Sequence, residues 1–174
     1  MKIETAIILC AGYGKRLHPI TLEVPKPLIK IKNKSLLLNT IELVANLGIK
    51  KIKLNTYYLA EQIEDFVNKL ENYGKIEIIK DGDEILDTGG GIKNIMKTST
   101  DKNFLVLNPD TIWNLGYKKI ILEMIEYYKL KNLNNLLMVV HKSKSYDTRF
   151  DGDFSMNNHM LSLIHISEPT RPSQ

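Results

Sequence analysis

The sequence predicts an α/β protein built on a mostly parallel sheet with helices on both faces, and three features lead there. Strand-like apolar runs alternate with segments of helical period along the 174 residues. The loops between them are short, as in β-α units that build parallel sheets. The first run, Thr5–Ala11 (TAIILCA), is continuously apolar, the pattern of a strand buried on both faces.

The elements follow in order. After the first strand, residues 35–47 read as a helix. Ser35 caps it, Leu38, Ile41, Val44 and Ala45 share one face, and Gly48 ends it. Residues 51–55 (KIKLN) form a short strand, and residues 60–70 a helix with Ile63, Phe66, Val67 and Leu70 at helical spacing. A third strand spans 75–79 and a short helix 91–96. A fourth strand, 104–107 (FLVL), runs directly into Asn108-Pro109-Asp110. Residues 118–128 are helical, with Ile121, Leu122, Ile125 and Tyr128 on one side. Residues 136–140 read as a fifth strand and 150–160 as the start of a hairpin. Ligands bind such sheets beyond the carboxyl ends of the strands. The loops after Ala11 and after Leu107 both lie there.

Composition narrows the function. With 43% apolar and 25% charged residues, the chain is that of a globular domain with a real core. No apolar run reaches the about 20 residues a membrane helix needs, and the N-terminus lacks the pattern of a secretory signal. These features predict a cytoplasmic protein with no membrane partner. The single cysteine, Cys10, agrees with a reducing compartment and reads as an inert core thiol. The net charge of +4 comes mostly from scattered lysines, with arginine only at positions 16, 149 and 171. No basic stripe interleaved with aromatics marks a nucleic-acid surface, so no nucleic-acid partner is expected.

Three motifs carry chemistry. In the first, the strand enters a turn holding Gly12 and Gly14, then Lys15-Arg16, then Pro25-Lys26-Pro27-Leu28. Glycines let backbone N–H groups approach phosphate oxygens. Arg16 can grip a phosphate with its planar fork, and Lys26 is a point charge held between prolines. The dinucleotide fingerprint fails because Leu17 stands where its third glycine belongs, and no G-K-[ST] supports a P-loop. In the second motif, Asp110 directly follows a strand, a position suited to Mg²⁺, which prefers one or two carboxylates with phosphate oxygens and water. The third, Asp87-Thr88-Gly89-Gly90-Gly91-Ile92, places glycines before a helix and permits close approach to a base or sugar.

The whole string, AGxGxRxxPxT followed by PKPL, closely resembles the signature of the sugar nucleotidyltransferases, which have a Rossmann-like α/β fold. The resemblance implies that Ala11, Gly12 and Gly14 line the nucleotide. It implies that Lys15 and Arg16 meet the phosphates, with Arg16 on the pyrophosphate leaving group. Lys26 would bridge the α-phosphate and the incoming sugar phosphate, and Asp110 would hold the metal. Arg16, Lys26 and Asp110 are thus the expected catalytic residues, with Gly89 and Asn108 at the nucleotide. The family usually has N-G-D before its Trp, so Pro109 is a departure that removes one backbone N–H.

Residues 87–92 and the stretch from Asn55 to Ile63 resemble one subgroup, the N-acetylmuramate-1-phosphate uridylyltransferases and short mannose-1-phosphate guanylyltransferases. Tyr57 stands where that subgroup usually has histidine. Gly152-Asp153-Phe154 resembles its G-D-F hairpin, which puts Gly152 near the sugar. The implied partners are a nucleoside triphosphate, UTP or GTP, and a sugar-1-phosphate; UTP with N-acetylmuramate-1-phosphate is placed ahead of GTP with mannose-1-phosphate. The resemblance covers nearly all of residues 3–161, and residues 1–161 are taken as the N-terminal part of the transferase domain. Residues 162–174 lack amphipathic period and are expected to be a non-native tail, leaving a fold incomplete at its C-terminus and a chain weakly active or inactive. A non-catalytic nucleotide-binding module and a ligand-free structural fragment stay open as alternatives.

Overall fold

The computed structural model describes residues 3–144 and 154–157, and the backbone of 160–163. The chain divides into two units, residues 1–134 and 135–174.

The first unit is a four-stranded sheet in the order β5-β4-β1-β6, parallel throughout. β1 is Thr5–Leu9, β4 Lys51–Thr56, β5 Lys75–Lys80 and β6 Phe104–Leu107. β1 is central, pairing Ala6 with Ile52 on one side and with Leu105 on the other. Its burial on both faces explains the unbroken apolar run, since Ala6, Ile7 and Ile8 are all fully buried. β4 alternates. Ile52 and Leu54 join the main core with Ala6, Ile8 and Cys10, whereas Lys53 and Asn55 turn to the opposite face.

Helices cover both faces. α2 (Leu36–Asn46), α3 (Ala60–Asn68) and α5 (Gly116–Leu130) send Leu37, Ile41, Val44, Ile63, Val67 and Ile121 into the main core. α4 (Thr88–Met96) packs against β1 and β4 from the other side, burying Ile95. Ser35 caps α2 as its sequence predicts, its Oγ accepting from Leu38 N at 3.1 Å. Between β1 and α2 the chain makes a long excursion containing α1 (Ile20–Glu23) and the small antiparallel pair β2 (Lys30–Ile31) and β3 (Lys34–Ser35). Lys32 and Asn33 both have positive φ, the backbone a two-residue hairpin turn needs.

Four expectations change. The buried face of α2 is Leu36, Leu37, Thr40, Ile41, Leu43 and Val44; Leu38 and Ala45 are half-buried because they lie at the edges of that wide face. On α5, Leu122 is exposed and only Ile121 is fully buried. α4 starts at Thr88, so its glycines form the first turn instead of a preceding loop. Asp87 supplies the start, its Oδ1 accepting from Gly90 N at 2.7 Å. Residues 136–140 form no strand: no described strand pairs with them, and Leu137, Met138, Val139 and Val140 are exposed. Valine and leucine make a strand only where a neighbour supplies a ladder and a buried face.

In the second unit, β7 (Phe154–Asn157) pairs antiparallel with β8 (Met160–Leu163). Gly152, expected near the sugar, lies outside the described residues. Among the described residues, no helix is long and apolar enough to cross a membrane.

Candidate functional site

Strand order reverses beside β1: the chain leaves it for β4 and β5, then crosses over to β6. In an open parallel sheet, the crevice at the carboxyl ends flanking such a switch is where ligands bind. A cleft of about 240 Å³ opens there. Its walls are residues 9–12 after β1, Lys26 and Pro27, Asn55 at the end of β4, residues 85–88 leading into α4, and residues 108–110 after β6.

The glycine turn shapes one wall. Gly14 has φ +65°, and a Cβ there would lie 2.9 Å from Thr21 Cγ2 and 3.2 Å from Lys26 Cβ. The turn is therefore pressed against the stem of Lys26, and Thr21 Oγ1 ties it by donating to Gly14 O at 3.0 Å. Gly12 differs, since a Cβ there would meet nothing within 4 Å. It borders open space, where a ligand can come close. Pro25 and Pro27 are buried on either side of Lys26, so the lysine leaves a fixed backbone.

On the facing wall, Asp110 Oδ2 lies 2.5 Å from Lys26 Nζ. Trp113 steadies that loop. Its indole is buried, Nε1 donates to Asn108 O at 3.0 Å, and its ring meets Tyr117 edge-on at 5.0 Å. Among the described residues, no group of three or more His, Cys, Asp or Glu side chains could hold a metal alone. One carboxylate fits an ion of the magnesium type that arrives with phosphate oxygens and water, and not a caged ion.

The floor is polar and buried. Asn55 Oδ1 accepts from Cys10 N at 2.9 Å, while its Nδ2 donates to Asp81 at 3.0 and 3.1 Å. Burial raises the Asp81 pKa above the usual carboxylate value, against hydrogen bonds from Asn55, the Leu86 N–H and Asn94 that lower it. Burial also pushes the Cys10 thiol well up, so it is no nucleophile.

With this geometry in view, comparison with known proteins is decisive. The sequence pattern of the nucleotidyl transferase family matches residues 5–150. The chain belongs to the nucleotidyl transferase family. Among the relatives of this family member are two mannose-1-phosphate guanylyltransferases. A catalytic subunit beta from Drosophila pseudoobscura pseudoobscura is 36% identical over 67% of this chain and 32% of the relative. A mannose-1-phosphate guanyltransferase 2 from Candida glabrata is 37% identical over 71% of this chain and 34% of the relative. The chain thus spans about a third of the length of the curated relatives it matches.

Solved structures agree on the fold. HddC from Yersinia pseudotuberculosis complexed with GMP-PN is 33% identical, with a TM-score of 0.60 over 71% of this chain and 55% of that one. A UDP-glucose pyrophosphorylase complexed with UDP-glucose has a TM-score of 0.67 at 18% identity, over 75% of this chain and 55% of that one.

In this nucleotidyl transferase family member, the cleft brings together Ala11, Gly12, Lys26, Asn108 and Asp110. Gly14 abuts Lys26 from behind. Lys15 and Arg16 are exposed on a 3-10 turn (Lys15–Leu17) outside the cleft lining, with Lys15 Nζ 5.2 Å from the centre of the Tyr13 ring. Gly89 also stays outside the lining; its neighbours Asp87 and Thr88 take that place because α4 begins one turn earlier than expected. Asp81 and Cys10 N were missed by reading sequence. Asp81 looks like an ordinary turn residue before Gly82, and only the fold reveals that it lies just past the end of β5, within hydrogen-bonding reach of Asn55.

Proposed function

We propose that this protein transfers a nucleoside monophosphate from a nucleoside triphosphate to a sugar-1-phosphate, releasing pyrophosphate. The observation that carries the reading is the meeting of Lys26 and Asp110 in one cleft beside the open backbone of Ala11 and Gly12. A sugar-phosphate oxygen attacks the α-phosphorus, the bond from that phosphorus to the β-phosphate oxygen breaks, and pyrophosphate leaves with the electron pair. No covalent enzyme intermediate is required, so the protein's work is positioning and charge neutralisation.

Ala11, Gly12 and Gly14 shape the nucleotide wall, with Asn108 and Gly89 near it. Lys26 bridges the α-phosphate and the incoming sugar phosphate. Lys15 and Arg16 reach the β- and γ-phosphates from their exposed turn, Arg16 on the leaving group. Asp110 with phosphate oxygens would hold Mg²⁺, which supplies charge neutralisation on the phosphates.

The relatives' names put GTP and mannose-1-phosphate first, ahead of the UTP and N-acetylmuramate-1-phosphate that the sequence motifs favoured. The test is a pyrophosphate-release screen of four nucleotides against a panel of sugar-1-phosphates, with calorimetric nucleotide binding alongside. Release above background with GTP and a hexose-1-phosphate is expected, slowly for a chain that spans a third of its relatives. Nucleotide binding with no release for any sugar phosphate would favour a non-catalytic binding module.

A further inference from the structure

Asp81 poses a physical question. It is 8% exposed, yet its hydrogen-bond donors are all neutral: Asn55 Nδ2, the Leu86 N–H and Asn94. Burying an anion without a cation weakens the fold, and an apolar or amide side chain would avoid that cost. The answer lies in what Asn55 must do. A side-chain amide has a donor end and an acceptor end that are nearly isosteric, so either can face a given neighbour. Only one orientation serves this cleft. Oδ1 must face the Cys10 N–H, which donates to it at 2.9 Å.

An ionised carboxylate accepts only. Placed against Asn55, Asp81 compels Nδ2 to point toward it and therefore Oδ1 to point toward Cys10. The clamp reaches a third segment as well. A Cβ on Gly91 would lie 2.7 Å from Asn55 Nδ2, so α4 is seated directly on the locked amide. Cys10, Asn55 and the residues leading into α4 all line the cleft.

We propose that Asp81 is a positioning residue for the nucleotide cleft, fixing the Asn55 amide so that it holds the Cys10–Gly12 backbone in its ligand-ready path. This rests on the cleft being the nucleotide site, and it adds to that reading a residue that touches no ligand.

The experiment combines two readouts on the full chain. Amide hydrogen exchange reports the Cys10 N–H directly and needs no ligand. Titration with Mg²⁺ and GTP, below the melting temperature of every variant, reports the cleft. Asp81→Leu should speed exchange at Cys10 by at least about tenfold, the scale of one lost buried hydrogen bond, with Ile7 and Ile8 unchanged. Its GTP affinity should fall by a similar factor. Asp81→Asn, which can accept or donate, should fall between. Combining Asn55→Asp with Asp81→Asn restores both bonds, since the carboxylate now at position 55 would accept from Cys10 N and from the amide now at position 81; protection at Cys10 should return.

Wild-type exchange at Cys10 in Asp81→Leu, or wild-type affinity beside a lowered melting temperature, would overturn the proposal. Should Asp81→Leu not fold, Asn55→Asp alone against the double exchange decides it: no recovery of Cys10 protection in the double variant counts against the lock. Absence of nucleotide binding by the wild type would sink the functional reading, while the exchange result still decides the role of Asp81.

Discussion

Lys26 Nζ and Asp110 Oδ2 lie 2.5 Å apart although 84 residues separate them in the chain. Their side chains are 26% and 39% exposed, and a pair so open to solvent adds at most about 1 kcal/mol to stability. Its value is chemical. A cation and a carboxylate are set against each other at the mouth of one cleft.

Lys26→Ala and Asp110→Asn should therefore each lower pyrophosphate release by about 10²–10³-fold, the usual loss for one preorganised electrostatic group. Melting temperatures should stay close to wild type. A large stability loss with retained turnover would make the pair structural.

Gly12 and Gly14 should separate cleanly. Gly14→Ala puts a Cβ at positive φ and 2.9 Å from Thr21 Cγ2, costing about 1–2 kcal/mol for the left-handed backbone alone. Gly12→Ala meets nothing in the protein and should melt near wild type while weakening nucleotide binding, because its methyl group enters the cleft. Thermal melts and GTP titrations on both variants check the contrast.

Trp113→Phe keeps most of the apolar contact but deletes the bond from Nε1 to Asn108 O. Stability should drop by about 1 kcal/mol, read by urea unfolding. Turnover should fall more than nucleotide binding does, because Asp110 loses the brace on its loop.

Two aspartates should give opposite pH responses. Burial raises the Asp81 pKa, so its contribution is fully present below the unfolded carboxylate value and is lost as pH rises through the folded value. Asp81→Asn should gain stability relative to wild type on going from acid to neutral pH. The Thr5 hydroxyl lowers the Asp101 pKa most, burial opposes it, and Lys51 and then Lys53 add to the lowering. That contribution is present above the unfolded value and lost as pH falls through the folded one, so Asp101→Asn should cost stability at neutral pH and less in acid. Urea unfolding of both variants across this range reads the two signs.

Cys10 should resist thiol reagents in the native state although its residue borders the cleft, since it is 1% exposed and its thiol is held protonated by burial. Labelling with and without urea tests this; rapid native labelling would mean that the floor opens.

Much of the first unit was legible because local pattern and tertiary demand agree there. β1 reads as doubly buried and is, and Ser35 reads as a cap and is. The two suspect loops were legible for the same reason, as strand ends in a parallel sheet. Failures came where an outcome depends on a partner that sequence cannot see. Residues 136–140 have the composition of a strand but no ladder. The glycines at 89–91 hid a helix start whose signal was the cap residue Asp87. Asp81 gave no sign of burial, because that follows from the turn after β5 folding its carboxylate onto the Asn55 amide. Arg16 stands in the most specific motif, yet a motif does not state that its residue lies exposed on a turn outside the cleft lining.

The register of β1 with β6, Thr5 opposite Phe104, bears on the order in which the molecule comes into being. The first strand to be synthesised must wait for the fourth of the parallel set before the crevice between them exists, a closure over a long stretch of chain. Lys26 thus precedes Asp110, its partner across the cleft, by 84 residues. A stretch of chain that stops short of β6 therefore has one wall of the cleft without the other.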